Sequence, residues 1–228
     1  VRRLIVNADD LGYDPEIDRG ILEAHRRGLV TSATAMVWTP FAAAALAAAP
    51  SSLGVGLHAV LDPELSEAAA HDELLRQLDR FQALRGAPPT HLDSHKHAHA
   101  RPALLAAVAE VAAVRGLPVR AMDAGLRLAL RGRGVTTTDG FLGDAARRPA
   151  WTEPALLAAL RGLADGSTEL MAHPGYRPSH AATSFGVERE VELAALTAAA
   201  TRELVLVAGI QLCSYAGLAG LAGLPRVR

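Results

Sequence analysis

Nine consecutive residues hold four of the nine histidines in the chain: His91, His95, His97 and His99, with Asp93 and Ser94 among them. On an extended backbone, positions 91, 93, 95, 97 and 99 point to one face. That face would carry four imidazoles and a carboxylate, groups that are costly to bury without partners. A divalent metal is the economical partner, since neutral imidazole and carboxylate are common ligands. A solvated histidine-rich loop and an affinity tag are the plain alternatives; a tag does not suit a mid-chain position interrupted by Asp93 and Ser94. Three further polar groups stand out: the pair Asp9-Asp10 ahead of Gly12, His58 in an apolar run, and His173 ahead of Pro174-Gly175. Singly, each has an ordinary explanation: helix capping or turn chemistry for the aspartates, a satisfied core histidine, a turn.

A run of alternating elements must position these groups. Residues 4–8 read as a first buried strand. A helix follows over 15–27, with Ile17, Gly20, Ile21 and Ala24 on one face and Gly28 as its stop. Then come a strand over 31–37, an alanine-rich helix over 41–49, a strand over 53–60 and a helix over 67–84. The last carries Leu74, Leu75, Leu78, Phe81 and Leu84 at helical spacing. Residues 91–99 read as the fourth strand, followed by a helix over 102–116 and a strand over 117–122. From 123 to 151 the pattern weakens to loop and short helix, with a strand over 135–138. A helix over 154–163, a strand over 169–172, a helical stretch over 187–208 broken near Thr197, and a strand over 210–215 complete the chain.

This alternation predicts βαβ units around a parallel sheet. Some seven or eight units in 228 residues favour an irregular, TIM-like (β/α) barrel of mostly parallel strands over an open sheet, with 1–228 as a single domain. Asp9 and Asp10, His58, the histidine cluster and His173 then fall towards the C-terminal ends of four strands. Parallel α/β folds build their active sites on that face. Two histidines and one carboxylate from separate strand ends could hold a catalytic metal with one position open. The candidates are Asp9 or Asp10, His58, and one of His91, His95, His97 or His99. Such a metal would acidify its water, with a second carboxylate as base and a histidine as acid.

Composition excludes some alternatives. The net charge is −1 and no basic stripe occurs, which argues against nucleic acid as a partner. Cys213 is the only cysteine, so neither an intrachain disulfide nor a cysteine metal site is available, and a reducing, cytoplasmic compartment fits. The opening apolar run is too short for a signal peptide, and no run reaches the length of a membrane span. The alanine-rich helical exterior is compatible with a homodimer.

Asn7-Ala8-Asp9-Asp10-Leu11-Gly12, Val30-Thr31-Ser32-Ala33-Thr34, Gly56-Leu57-His58, the stretch Pro89-Thr90-His91 through His99, and His173-Pro174-Gly175 resemble, in this order, the motifs of the YdjC-like carbohydrate deacetylases. That family includes chito-oligosaccharide deacetylases. The resemblance spans about residues 4–215. It implies an irregular (β/α) barrel and a hydrolase that uses one divalent metal to remove acetyl from N-acetylated sugars. It assigns Asp10, His58 and His95 as metal ligands, Asp9 as general base and His173 as general acid. Asp93 and His97 would support the ligands or touch substrate. Zinc or magnesium leads as the metal, with manganese, cobalt or iron as alternatives. Trp38, Phe141 and Tyr176 could form an apolar platform for a sugar ring, although ordinary packing accounts for Phe141. Two departures fall on the substrate side. The long loop usual after Gly-Leu-His is short here, and the second strand runs into Val37-Trp38-Thr39-Pro40 in place of Asn-Gly. Hydrolysis of another amide or phosphoester bond, and a non-catalytic barrel that binds sugar or metal, are the competing readings.

Overall fold

The computed structural model describes residues 1–143 and 149–221. The elements alternate as β1 (Arg2–Leu11), α1 (Pro15–Arg27), β2 (Ser32–Ala35), α2 (Ala42–Ala48), β3 (Gly54–Ala59), α3 (Glu67–Arg85), β4 (Leu92–Ser94), α4 (Pro102–Arg115), α5 (Ala124–Arg131), β5 (Gly140–Leu142), α6 (Glu153–Arg161), β6 (Gly166–Ala172), α7 (Glu188–Thr197), α8 (Ala199–Val207), β7 (Gln211–Leu212) and α9 (Tyr215–Leu221). Seven strands share one sheet in the order β4-β3-β2-β1-β6-β5, with β7 beside the start of β1. Every pairing between them is parallel. Among the described residues, no helix is long and apolar enough to cross a membrane.

Local chemistry explains the helix ends. The Asp14 carboxylate caps α1 by accepting from the Glu16 amide, and Pro15 occupies its first turn. Ser66 caps α3, which stops at Gly86 in the left-handed conformation. The break predicted near Thr197 lies at Ala198, whose extended backbone separates α7 from α8.

Four strand predictions need correction; the last strand, expected over 210–215, covers only Gln211–Leu212, and Tyr215 opens α9. The histidine segment is a strand only over Leu92–Ser94. His95–Ala100 is a tight 3-10 turn in which Lys96 and His97 both have φ of 54°. Residues 117–122 make a single bridge, Leu92 to Val119, and form no strand. Thr136 accepts from the Val119 amide, yet no strand forms over 135–138; β5 begins only at Gly140. The barrel wall between β4 and β5 is therefore closed by irregular backbone, and the barrel is an irregular (β/α) one. Positions 144–148 of the weakly patterned stretch lie outside the described residues.

One buried acid in α1 makes stability depend on pH. Asp18 is 9% exposed and its Oδ1 accepts from the Gly12 amide at 2.6 Å. Burial, outweighing that hydrogen bond, pushes its carboxyl up to about 7. The folded state then holds a proton that the unfolded chain releases near pH 4. This side chain's contribution is most favourable below that pH, declines between roughly pH 4 and 7, and is flat above. Asp18→Asn keeps the acceptor and removes the titration. It should stabilise the protein at pH 8 by roughly 1–3 kcal/mol and much less at pH 4.5. Urea midpoints of both proteins at the two pH values check this; parallel pH profiles would count against it.

Candidate active site

The site begins with an irregularity in β1. Ala8 pairs with Ala33 and Leu11 with Ala35, so β1 spends one residue more than β2 between those pairs. Asp10 absorbs the extra residue with φ of 72°, a conformation that aspartate tolerates better than most side chains. Strict alternation would turn Asp9 and Asp10 to opposite faces. The bulge brings both carboxylates to the rim, and both are buried.

The neighbouring strands deliver the partners. His58 on β3 lies in register with Asp93 on β4, and its Nδ1 is 2.7 Å from Asp93 Oδ1. The Thr34 hydroxyl donates to the other Asp93 oxygen at 3.0 Å. That leaves His58 Nε2 facing Asp10 Oδ1 at 3.4 Å and His95 Nδ1 at 3.3 Å, with His95 Nδ1 3.5 Å from the same Asp10 oxygen. Asp10 Oδ1 is buried and has no hydrogen-bond partner among the described residues. Its other oxygen accepts from the buried Arg189 at 2.6 Å. An ion with ligands at roughly 2.0–2.1 Å in tetrahedral geometry sets those ligands roughly 3.4 Å apart. The triangle of Asp10, His58 and His95 has such edges, one orphaned oxygen and mixed oxygen and nitrogen donors. These residues fit a divalent metal. Asp9, His58 and Asp93 also lie close together, but Arg120 already sits between their carboxylates.

Arg120 anchors the layer below. Its guanidinium donates to both Asp9 oxygens at 2.7 and 2.6 Å, reaches Asp93 Oδ2 at 2.8 Å, and donates from Nε to Glu169 at 2.8 Å. Glu169 accepts from the Tyr215 hydroxyl at 2.5 Å. Tyr215 stacks on His91 at 4.1 Å, His91 Nε2 meets Asn7 Oδ1 at 2.9 Å, and the Asn7 amide donates to Asp9 at 2.9 Å. The circuit returns to its starting carboxylate and holds Asp9 from two sides. Gly56 makes room for it, because a Cβ there would stand 2.5 Å from the His91 ring.

Charge follows this geometry. Burial would raise Asp9, Asp10 and Asp93, but the guanidiniums outweigh it: Arg120 holds Asp9 and Asp93 below the usual carboxylate range, and Arg189 holds Asp10 well below it. Burial opposes a charge on His58, yet Asp93, with Asp9 and Asp10, lifts its imidazolium up to about 9. Asp9, Asp10 and Asp93 thus face Arg120, Arg189 and the His58 imidazolium in one buried region, while burial raises Glu169; a divalent cation held by His58 would take the place of that ring's extra proton.

β6 places the last member. Ala172 pairs with Ala8, so His173 follows beside Asp9, with Nε2 3.9 Å from Asp9 Oδ2. Glu192 accepts from the His173 amide at 2.7 Å, and Phe185 stacks on the ring at 4.8 Å. The loop that follows lies directly on α1, where a Cβ on Gly20 would stand 2.4 Å from Gly175 Cα.

Other candidates lie apart from this group. His91 and His99 are fully buried structural residues; His99 is bonded to Ser94 and to the Arg120 carbonyl. Burial lowers them to about 3 and 4. His97, lowered by burial to about 4, is set edge-on to Phe141 and does not join the triangle. Tyr176 is turned onto α1, with its hydroxyl on Glu23 at 2.6 Å and Arg19 over its ring at 3.4 Å. It is not part of a platform at the cluster. Trp38 is exposed on the rim, with its indole N–H donating to Glu73 at 3.0 Å. Sequence reasoning missed Arg120, Arg189, Glu169 and Tyr215. Only Arg120 carried a signal, as a lone cation inside the apolar run 117–122.

The family model described as YdjC-like protein matches residues 3–66 and 60–206. The chain belongs to the YdjC-like family. Among relatives, a "Carbohydrate deacetylase" of Geobacillus stearothermophilus is 34% identical over 94% of this chain and 97% of its own. A "Chitooligosaccharide deacetylase" of Serratia marcescens is 33% identical over 94% and 98%. A solved structure from Enterococcus faecalis V583, of a candidate cellobiose-phosphate cleavage protein, superposes with a TM-score of 0.82 at 27% identity, covering 95% of this chain and 98% of that one. A family 4 acetyl xylan esterase from Clostridium thermocellum, solved with a cobalt ion, shares the fold at a TM-score of 0.60 and 14% identity, with 98% and 93% covered. In this YdjC-like chain, the aspartate pair, His58, His95 and His173 converge on one rim of that fold.

Proposed function

We propose that this chain acts, as one domain, as a divalent-metal-dependent carbohydrate deacetylase that removes acetyl from N-acetylated sugars of the chito-oligosaccharide type. The observation that carries the reading is the triangle of buried Asp10 and His58 with the half-buried His95, with an orphaned carboxylate oxygen and with Asp9 and His173 alongside. The names of the relatives support the substrate class. Asp10, His58 and His95 would hold the metal. A bound divalent ion supplies acidified water and a polarised acetyl carbonyl. Asp93 orients His58 by accepting from Nδ1, which leaves Nε2 as the donor atom. Asp9 is ionised and fixed by Arg120 and Asn7, and it accepts the proton of the attacking water. His173, whose Nε2 lies 3.9 Å from Asp9, delivers a proton to the departing nitrogen, so that acetate and a free amine separate.

The test is acetate release from N-acetylglucosamine and its β-linked dimer. Metal-stripped protein is supplemented with zinc, magnesium, manganese, cobalt or iron, beside His95→Ala. Release that needs both the metal and His95 is the expected result. The description of the Enterococcus faecalis protein favours one second reading, a hydrolase acting on a sugar phosphate. Phosphate release from a phosphorylated disaccharide, with no acetate from the acetylated sugars, would replace the first reading with it.

A further inference from the structure

Trp38 is 55% exposed, yet it is held. Its N–H donates to Glu73, and Glu73 also accepts two hydrogen bonds from Arg76, at 3.0 and 2.7 Å, and one from Gln77 at 2.7 Å. Gln77 is fully buried and clamps Val60 by both its amide and its carbonyl, at 2.9 and 2.7 Å. Ala35 and Leu57 are partners in register. Trp38 and Val60, each three residues beyond, therefore leave the same rim, and Val60 is two residues past His58. A cleft of about 410 Å³ opens there between Val60, Asp62, Leu65, Asp72, Glu73 and Arg76.

We propose that Trp38 and this cleft form a sugar-binding subsite that takes a pyranose ring of an oligosaccharide next to the unit being deacetylated. The proposal rests on the deacetylase reading for the identity of the sugar. A fixed, uncovered indole loses little conformational entropy when a ring stacks on it. With its N–H already used by Glu73, only its apolar face remains to offer, and pyranose rings present matching C–H faces. The surroundings select the occupant. Val60, Leu65 and Ala69 line the cleft together with Asp62, Asp72 and Arg76, a mixed lining that suits a pyranose, which has apolar C–H faces and hydroxyl groups that need donors and acceptors. The short connection between β3 and α3, only 60–66, leaves the indole open to solvent.

The experiment compares a β-1,4-linked N-acetylglucosamine tetramer with the monosaccharide. Trp38→Ala should lower the tetramer-to-monosaccharide ratio of kcat/KM about tenfold, through KM for the tetramer, and Trp38→Phe, which keeps a ring, should recover part of it. Equal changes for both substrates, or no change, would overturn the proposal. A second readout does not need turnover. The other tryptophan, Trp151, is buried with its N–H on the Met171 carbonyl, so acrylamide quenching reports mainly on Trp38. The tetramer should protect the wild type and leave Trp38→Phe unaffected. Protection without acetate release would sink the deacetylase reading and keep the subsite; release without protection would do the reverse.

Discussion

Asp9→Asn should lower turnover by roughly 10²–10⁴-fold, the usual worth of a positioned base, in protein that still carries its full complement of metal. The side chain keeps its shape and one acceptor for Arg120 but can no longer take a proton. The fold should tolerate it, because Arg120 retains Asp93 and Glu169 as partners. Removing Arg120 itself would be a poor test. It would leave Asp9 and Glu169 buried without the guanidinium that pairs them, and Asp93 with His58 alone, a loss of about 3–5 kcal/mol for a broken buried pair. Asp9→Asn should be assayed at saturating metal, with bound metal counted by elemental analysis, because losing a neighbouring charge weakens the ion's hold as well. Near-normal acetate release from metal-loaded Asp9→Asn would remove Asp9 as the base and direct attention to His173, whose Nε2 lies 3.9 Å from it.

The same pair of aspartates shows what was readable in advance. Position along the strands was legible: residues 4–8, 53–60 and 169–172 each carry strand patterning with Asp or His at or just beside the C-terminal end, and parallel topology places such ends on one rim. Rotation about the strands was not. Alternation assigns His91, His95, His97 and His99 to one face, but Lys96 and His97 adopt left-handed backbone. That turn separates His95, which meets Asp10 and His58, from His91 and His99, which are committed to Asn7, Ser94 and the Arg120 carbonyl. No hydrophobic period encodes a two-residue left-handed turn. The choice of His95 came from family resemblance, and the structure sets that residue against Asp10 and His58. The cations were hidden for another reason. Arg189 lies 179 residues from Asp10 on a helix with several other charged residues, so its pairing exists only in three dimensions. Arg120 differed because an unpaired guanidinium inside an apolar run is costly, and that cost alone implied a buried carboxylate elsewhere. Tyr176 misled in the opposite direction: an aromatic two residues past Pro174 resembles a substrate platform, but the close approach of Gly20 and Gly175 lays it along α1.

Removing the charge of Asp10 should cost the metal. Asp10→Asn is the variant of choice, because φ of 72° is tolerated by asparagine and strained for alanine. Its carbonyl oxygen can still accept from Arg189, which would otherwise be left buried with only the Phe185 carbonyl as acceptor. Structural zinc sites bind with about 10–16 kcal/mol shared among four ligands. Weakening one ligand should therefore lower affinity roughly a hundred- to a thousandfold, which competition with a chelator can measure. Stability should follow. Free metal at about 100 times its Kd stabilises a folded protein by roughly 2.7 kcal/mol, which for a chain of this size is a Tm increase of roughly 5–10 °C. The wild type should show that increase when zinc is added to metal-stripped protein, and Asp10→Asn should show little of it at the same concentration. The two measurements separate two explanations of the orphaned Asp10 oxygen. If it is a ligand, affinity and the metal-induced Tm increase fall together. If it serves only to hold Arg189, Asp10→Asn will bind metal as the wild type does, and the triangle with His58 and His95 will have lost its third corner.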